Sequence, residues 1–208
     1  NFEAALQKLV CDTFTAHQRI IFNGNGYSDE WKAEAAQRGL SNHSNTAQAL
    51  PTYVSQKNID LVVRHGIYTE AEFRARHEIH LEAYCKIINI EARTSIDMLM
   101  HQILPAAIAY SKFLCESMLA KKQLGISCKA EAELSERISL ASDRCYSKCE
   151  ELRQALQTIP ADNASASLYY HDVIVTAMEA LRNDADILEQ LTDKSYWPYP
   201  TYSDLLYY

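Results

Sequence analysis

Apolar residues recur at helical spacing over most of the chain. They fall first at Phe2, Leu6, Leu9 or Val10, and Thr13 or Phe14, which predicts a helix from Phe2 to His17. Arg19 to Tyr27 then carries two Asn-Gly steps and reads as a turn, because Gly and Asn adopt positive φ at little cost. Ser28 is placed to cap a short helix through Trp31 and Ala35 that stops at Gly39. Ser41 to Leu50 is polar and loop-like. Ser55 is placed to cap another short helix through Ile59, Val62 and Val63 that ends at Gly66.

The main element opens at Thr69. Thr69 and Glu72 have the spacing of a capping box, in which each satisfies the other's free backbone N–H. The helical pattern then runs to about Lys122, with Gly125 as its stop. Its stripe is Leu81, Cys85, Ile88, Ala92, Ile96, Leu99, Ile103, Ala106, Tyr110 and Phe113. Ile87, Met98, Met100, Leu104 and Ile108 widen the apolar face, which predicts cover on several sides. At 1.5 Å per residue the element is roughly 80 Å long. Pro105 removes a backbone hydrogen bond and crowds the preceding turn, so a kink is expected there.

A second long helix is predicted from Ser127 to near Pro160 on Leu134, Ile138, Ala141, Cys145, Leu152, Leu156 and Ile159, close to a heptad seam. Ala161 to Ala166 reads as a linker. A third helix follows from Ser167 to Thr192 on Ile174, Met178, Leu181, Ala185 and Leu188. Short connections favour antiparallel neighbours. The expected fold is therefore all-α: an antiparallel bundle of long helices with a kinked central helix, preceded by short helices and turns. After it, Tyr196 to Tyr208 is dense in aromatic residues and held extended by Pro198 and Pro200. Rings with polar tips suit interfaces, so Trp197, Tyr199 and Tyr202 are expected to dock on protein.

Composition narrows the class. Only five glycines and five prolines in 208 residues leave little room for the tight turns of an all-β fold. A net charge of −7 argues against nucleic acid or an anionic membrane as partner. No uninterrupted run of about 18 apolar residues occurs, so no membrane span is expected. No basic-then-apolar leader opens the chain, and a first residue of Asn1 rather than Met suggests a fragment or processed product. The six cysteines, Cys11, Cys85, Cys115, Cys128, Cys145 and Cys149, form no Cys-x-x-Cys pair and are expected to be reduced thiols of a cytoplasmic protein.

Candidate chemistry is sparse. Gly24-Asn25-Gly26 has the look of a phosphate-binding loop, but the third glycine and a following Gly-Lys-Ser/Thr are missing, so a structural turn is the better reading. His77-Glu78-Ile79-His80 sets its histidines three apart, where a zinc-protease helix needs four. His77, His80 and Tyr84 share a helical face and read as partner-facing polar residues. No Gly-x-Ser-x-Gly elbow is present. Glu70, Glu72, Glu78, Glu82 and Glu91 alternate with Arg74, Arg76, Lys86 and Arg93, as on a solvated face. Periodicity and spacing alone describe a helical protein with no catalytic, cofactor-binding or metal-ligating residue.

Four stretches carry a resemblance. Arg19-Ile20-Ile21-Phe22-Asn23-Gly24-Asn25-Gly26-Tyr27-Ser28-Asp29-Glu30-Trp31 is similar to a signature of type III glutamine synthetases, the long-subunit bacterial class. Arg38-Gly39-Leu40, Ile103-Leu104-Pro105-Ala106 and the terminal Tyr196-Trp197-Pro198-Tyr199-Pro200-Thr201-Tyr202-Ser203-Asp204-Leu205-Leu206 also match, in the order of that family's C-terminal region. Cys128 to Ala166 matches in helical pattern alone. The resemblance implies a parent enzyme that joins ammonia to glutamate through a γ-glutamyl phosphate, using ATP and Mg or Mn held by an upstream β-rich domain. It implies that residues 1–66 are the end of the catalytic domain with connecting short helices, 67–193 the long-helix bundle and 194–208 a docking tail. It also implies, as partners, the upstream catalytic domain of the same subunit and further copies in a homo-oligomer. No stretch here matches the catalytic or metal motifs. The expected function is a structural and assembly region; the alternative is an independent helical module that binds a protein or small ligand, and the upstream reading frame discriminates the two.

Overall fold

The computed structural model describes residues 1–206 and, of Tyr202 and Ser203, the backbone only. The described residues are helical with no strand among them, so the all-α expectation holds. The chain divides into two compact units, residues 1–49 and 50–208.

In the first unit, α1 spans Phe2–Ala16, a single 3-10 turn Gln18–Ile20 follows, and α2 spans Asp29–Gln37. Ser28 caps α2 as expected, its hydroxyl accepting from the Trp31 N–H at 3.3 Å. Gly39 ends the segment at φ 73°, a conformation a side chain would strain. The Ser41–Leu50 stretch is not all loop: α3, Thr46–Tyr53, begins inside it and crosses the boundary between the units. Asn45 supplies the missing start signal, its side-chain oxygen accepting from the Gln48 N–H at 2.9 Å, and the helix tolerates Pro51.

The second unit continues with α4, Gln56–Arg64, and α5, Glu70–Met98, which opens with the predicted capping box: Glu72 accepts from the Thr69 N–H at 2.8 Å and Thr69 from the Glu72 N–H at 3.3 Å. The interruption expected at Pro105 takes the form of a π-helical turn, Leu99–Ile103, before α6, Leu104–Gln123. The Leu104 N–H reaches back five residues to Leu99, and Pro105, which has no N–H to give, sits where α6 restarts. The wide turn holds one residue more than an α-helical turn, and the buried face slips by one position. Leu99 and Ile103 are buried as predicted. Beyond them the core takes Leu104, Ala107 and Leu114, while Ala106 and Tyr110 are half-buried and Phe113 is exposed.

α7, Lys129–Ala155, follows the Gly125 turn and runs back along α6. Its predicted seam is the observed one, with Ile138, Ala141, Cys145 and Leu152 fully buried. The Ala161–Ala166 linker is shorter than expected, because Asp162 caps α8, Asn163–Tyr169, by accepting from the Ser165 N–H at 2.8 Å. A second π-helical turn, Tyr170–Val175, joins α8 to α9, Thr176–Leu191. α5 packs on α8 and this second wide turn, whereas α6 and α9 both pack on α7. A short helix, α10, Tyr202–Leu206, ends the described chain.

Candidate functional site

The polar side chains of the bundle meet in interhelical pins. The deepest is Asp184 on α9, 5 % exposed, which accepts from Arg144 Nε at 2.8 Å and lies 2.5 Å from Lys148 Nζ. Lys148 also donates to the Ala180 carbonyl at 2.9 Å. Burial pushes the Asp184 carboxyl up, and the hydrogen bonds and charges of Lys148 and Arg144 outweigh it, so the group sits below the usual carboxylate range. Elsewhere Asn89 donates to the Tyr170 hydroxyl at 2.6 Å, joining α5 to the second wide turn, and Ser111 meets Ser135 at 3.0 Å between α6 and α7. Lys121 pairs with Glu131 across the Gly125 turn.

The three buried thiols are placed as inert groups. Cys85, Cys145 and Cys149 are buried and all six cysteines are free. Burial first, and the Asp184 charge second, push the Cys145 thiol up to about 12. Burial likewise raises Cys149 and Cys85. A thiol held protonated is neither nucleophile nor metal ligand.

His77 and His80 turn to an aromatic cluster within the second unit. Tyr53 stacks on Phe73 at 4.4 Å and on His77 at 6.4 Å, and meets His80 edge-on at 5.7 Å. Tyr84 does not join them but packs against the core, where burial raises its hydroxyl. Among the described residues no group of three or more His, Cys, Asp or Glu side chains is placed to hold a metal ion.

In the first unit the Asn23–Tyr27 loop is fastened at its base. Arg38 donates to the carbonyls of Arg19 and Ile21, pairs with Glu34 and lies 5.5 Å over the Trp31 ring, which stacks on Phe22 at 4.3 Å. The glycines of the loop are not at positive φ, contrary to the reason given for the turn. A Cβ at Gly24 would instead overlap the tip of the Phe22 ring, so a larger residue there would have to displace that ring. Asn25 turns the loop on itself, its side chain accepting from the Tyr27 N–H at 3.0 Å and its carbonyl from the Ser28 N–H at 3.1 Å.

The tail lies against the bundle. Tyr196 packs on Tyr110 at 5.3 Å, and Trp197 and Tyr199 are half-buried against the core. With Met98, Ile103 and Ala185 they line a cavity of about 210 Å³. Asp204 pairs with Lys194 and accepts from the Thr201 N–H at 2.8 Å; these bonds draw its carboxyl down to about 2. The Tyr202 side chain lies outside the described residues.

Sequence reasoning missed Asp184 and its two cations. The signal was present, since Asp184 stands between Leu181 and Leu188 on an apolar stripe, and Arg144 and Lys148 are one turn apart beside the α7 seam.

Fold and polar contacts together define a helical module held by interhelical pins. The family model of the glutamine synthetase C-terminal domain matches residues 5–122, and the chain belongs to that family. A glutamine synthetase of Butyrivibrio fibrisolvens is 35 % identical over 215 residues, covering 97 % of this chain and 29 % of the relative. A type-3 glutamine synthetase of Dictyostelium discoideum is 32 % identical and a glutamine synthetase of Bacteroides fragilis (strain YCH46) 29 % identical, each covering 99 % of this chain and 29 % of the relative. The resemblance to the C-terminal region of type III glutamine synthetases is thus borne out. The chain spans under a third of the length of these curated relatives. The family match ends with α6, while the relatives extend over α7 to α9 as well. By length and composition alone Glu70–Gln123 is apolar enough to cross a membrane although no uninterrupted apolar run occurs; in the fold its buried residues, Leu99, Leu104 and Ala107 among them, belong to the bundle core.

Proposed function

We propose that this chain is the structural and assembly module of a cytoplasmic, oligomeric glutamine synthetase, and that catalysis belongs to an upstream domain of the same subunit. The parent would ligate ammonia to glutamate with ATP and Mg or Mn. The observation that carries this reading is where the buried polar groups go. The deepest charge, Asp184, is taken up by Arg144 and Lys148, and Asn89 donates to Tyr170, so these polar groups fasten helices to one another. Metal-dependent phosphoryl transfer needs carboxylates that hold ions and cations that steady phosphates in one open cleft.

The purified 208-residue chain is expected to show neither γ-glutamyl transfer nor ATP hydrolysis with magnesium or manganese. Turnover that survives repurification overturns the proposal. In the longer enzyme, deletion of α7 to α9 should lower the assembled mass by more than the deleted residues, since it removes the helix on which α6 packs. An enzyme with the same number of subunits and the same thermal midpoint after that deletion would deny the module its assembly role.

A further inference from the structure

Arg93 is held from the core outward. The Tyr170 hydroxyl, on a residue 4 % exposed, accepts from Asn89 Nδ2 at 2.6 Å, and Asn89 Oδ1 accepts from Arg93 Nε at 2.6 Å. This relay fixes the guanidinium through one nitrogen and leaves its two terminal nitrogens to donate. Arg93 pairs with no carboxylate among the described residues. A buried layer that locks the rotamer of a contact residue is how a binding site is kept in shape, because the side-chain ordering that binding would otherwise cost is already done. Arg93 faces a cleft of about 330 Å³ between α5 and the end of α7, where Ile96 and Leu156, both half-buried, supply apolar surface. Arg153 and Gln157 line it from α7, with Arg153 Nη1 3.2 Å from Glu150. Asp97 lies one turn along α5 from Arg93, and His101 Nδ1 is 2.8 Å from its Oδ1, which leaves Oδ2 open.

We propose that this cleft binds a small molecule carrying one carboxylate on a short hydrocarbon body, with the carboxylate on the fork of Arg93 and the body on Ile96 and Leu156. The charges around the cleft select this class. Arg93 and Arg153 are balanced by Asp97 and Glu150, so with a neutral His101 the surroundings carry no net charge and give no support to a phosphate or a dicarboxylate. A single carboxylate matches the planar fork of one pre-set arginine. The end of α7 does not oppose it strongly, since the carbonyls of Leu152, Gln154 and Ala155 already accept from the N–H groups of Leu156, Gln157 and Thr158. An ammonium on the same molecule would meet the open oxygen of Asp97, so a plain carboxylic acid and an α-amino acid both carry the required chemistry. The site lies wholly within the helical bundle and does not depend on the proposed function.

Titration of the methyl-labelled 208-residue chain, read by the NMR signals of Ile96 and Leu156, tests this. The probes are 4-methylpentanoate, leucine and inorganic phosphate. At least one of the first two should shift both signals along a saturable curve. Arg93→Gln should weaken that binding at least about tenfold, the loss of a charge-assisted hydrogen bond, while circular dichroism shows the helices intact. Lys112→Gln, on α6 outside the cleft, should leave it unchanged. Leucine binding that exceeds 4-methylpentanoate binding, and loses that advantage in Asp97→Asn, assigns the site to amino acids; leucine binding no tighter assigns it to plain carboxylates. No shift from either up to about 10 mM overturns the proposal. So does undiminished binding in Arg93→Gln. Phosphate binding as tight as that of the carboxylates also overturns it, by making the cleft a general anion patch.

Discussion

Replacing Asp184 with Asn should destabilise the bundle by about 2–3 kcal/mol at pH 7. Removing one partner of a buried ion pair costs about 3–5 kcal/mol when the remaining charge stays buried and uncompensated. Here the Arg144 side chain is 50 % exposed and Lys148 32 % exposed, so both cations can regain water, and the expected loss sits at or below the low end of that range. The pH dependence has a definite sign. The Asp184 carboxyl is depressed in the folded chain, so its contribution is complete above the unfolded value, about 3.9, and fades as pH falls through the lower folded value. Urea unfolding followed by far-ultraviolet circular dichroism at pH 7, 5 and 3 reads both effects. The gap between wild type and Asp184→Asn should be equal at pH 7 and 5 and smaller at pH 3. A gap under about 0.5 kcal/mol at pH 7, below even a single hydrogen bond to a charged group, would refute the pin. A gap that widened on acidification would refute the sign.

Truncating Leu99, Ile138 or Leu181 to Ala should cost roughly 2–5 kcal/mol each, since they are 1 %, 0 % and 3 % exposed, and losses below about 1 kcal/mol at all three would mean the buried faces are misassigned. Thiol titration of the native chain should modify Cys11 and Cys115 quickly, while Cys85, Cys145 and Cys149 wait for unfolding; rapid modification of Cys145 would contradict its burial and raised thiol. Deleting everything after Asp193 should lower the thermal midpoint, because Trp197 and Tyr199 leave the core edge they cover, and an unchanged midpoint and solution mass would mean the tail carries no stability.

The long elements were legible because their stripes repeat over many turns. Ile138, Ala141, Cys145 and Leu152, or Ile174, Leu181 and Leu188, cannot be arranged on one side of anything but a helix. Single-residue events were not legible. The slip after Ile103 depends on one extra residue in one turn, which leaves composition and average periodicity unchanged, so Ala106 and Phe113 were given a core role that Ala107 and Leu114 hold, while Tyr110 keeps a place at the core's edge. Asn45 and Asp162 were read as loop residues although each starts a helix, because a cap is a property of one side chain and not of a pattern. The surroundings of the two histidines were not legible for a different reason. His77 and His80 are close in sequence, but what they meet is Tyr53, a partner that only the fold brings near.

The two wide turns have a mechanical consequence. An unbroken α-helix is a stiff shaft, and rotating one end rotates the other. Here two of the three long shafts carry an internal joint, Leu99–Ile103 in one and Tyr170–Val175 in the other, and each joint falls where the shaft changes neighbours. One half of the first shaft meshes with α8 and the other with α7, phased apart by one residue, about 100° of turn. Excising a single residue from either joint would swing the whole far half by that angle and strip its teeth from α7, while leaving every residue of that half unchanged.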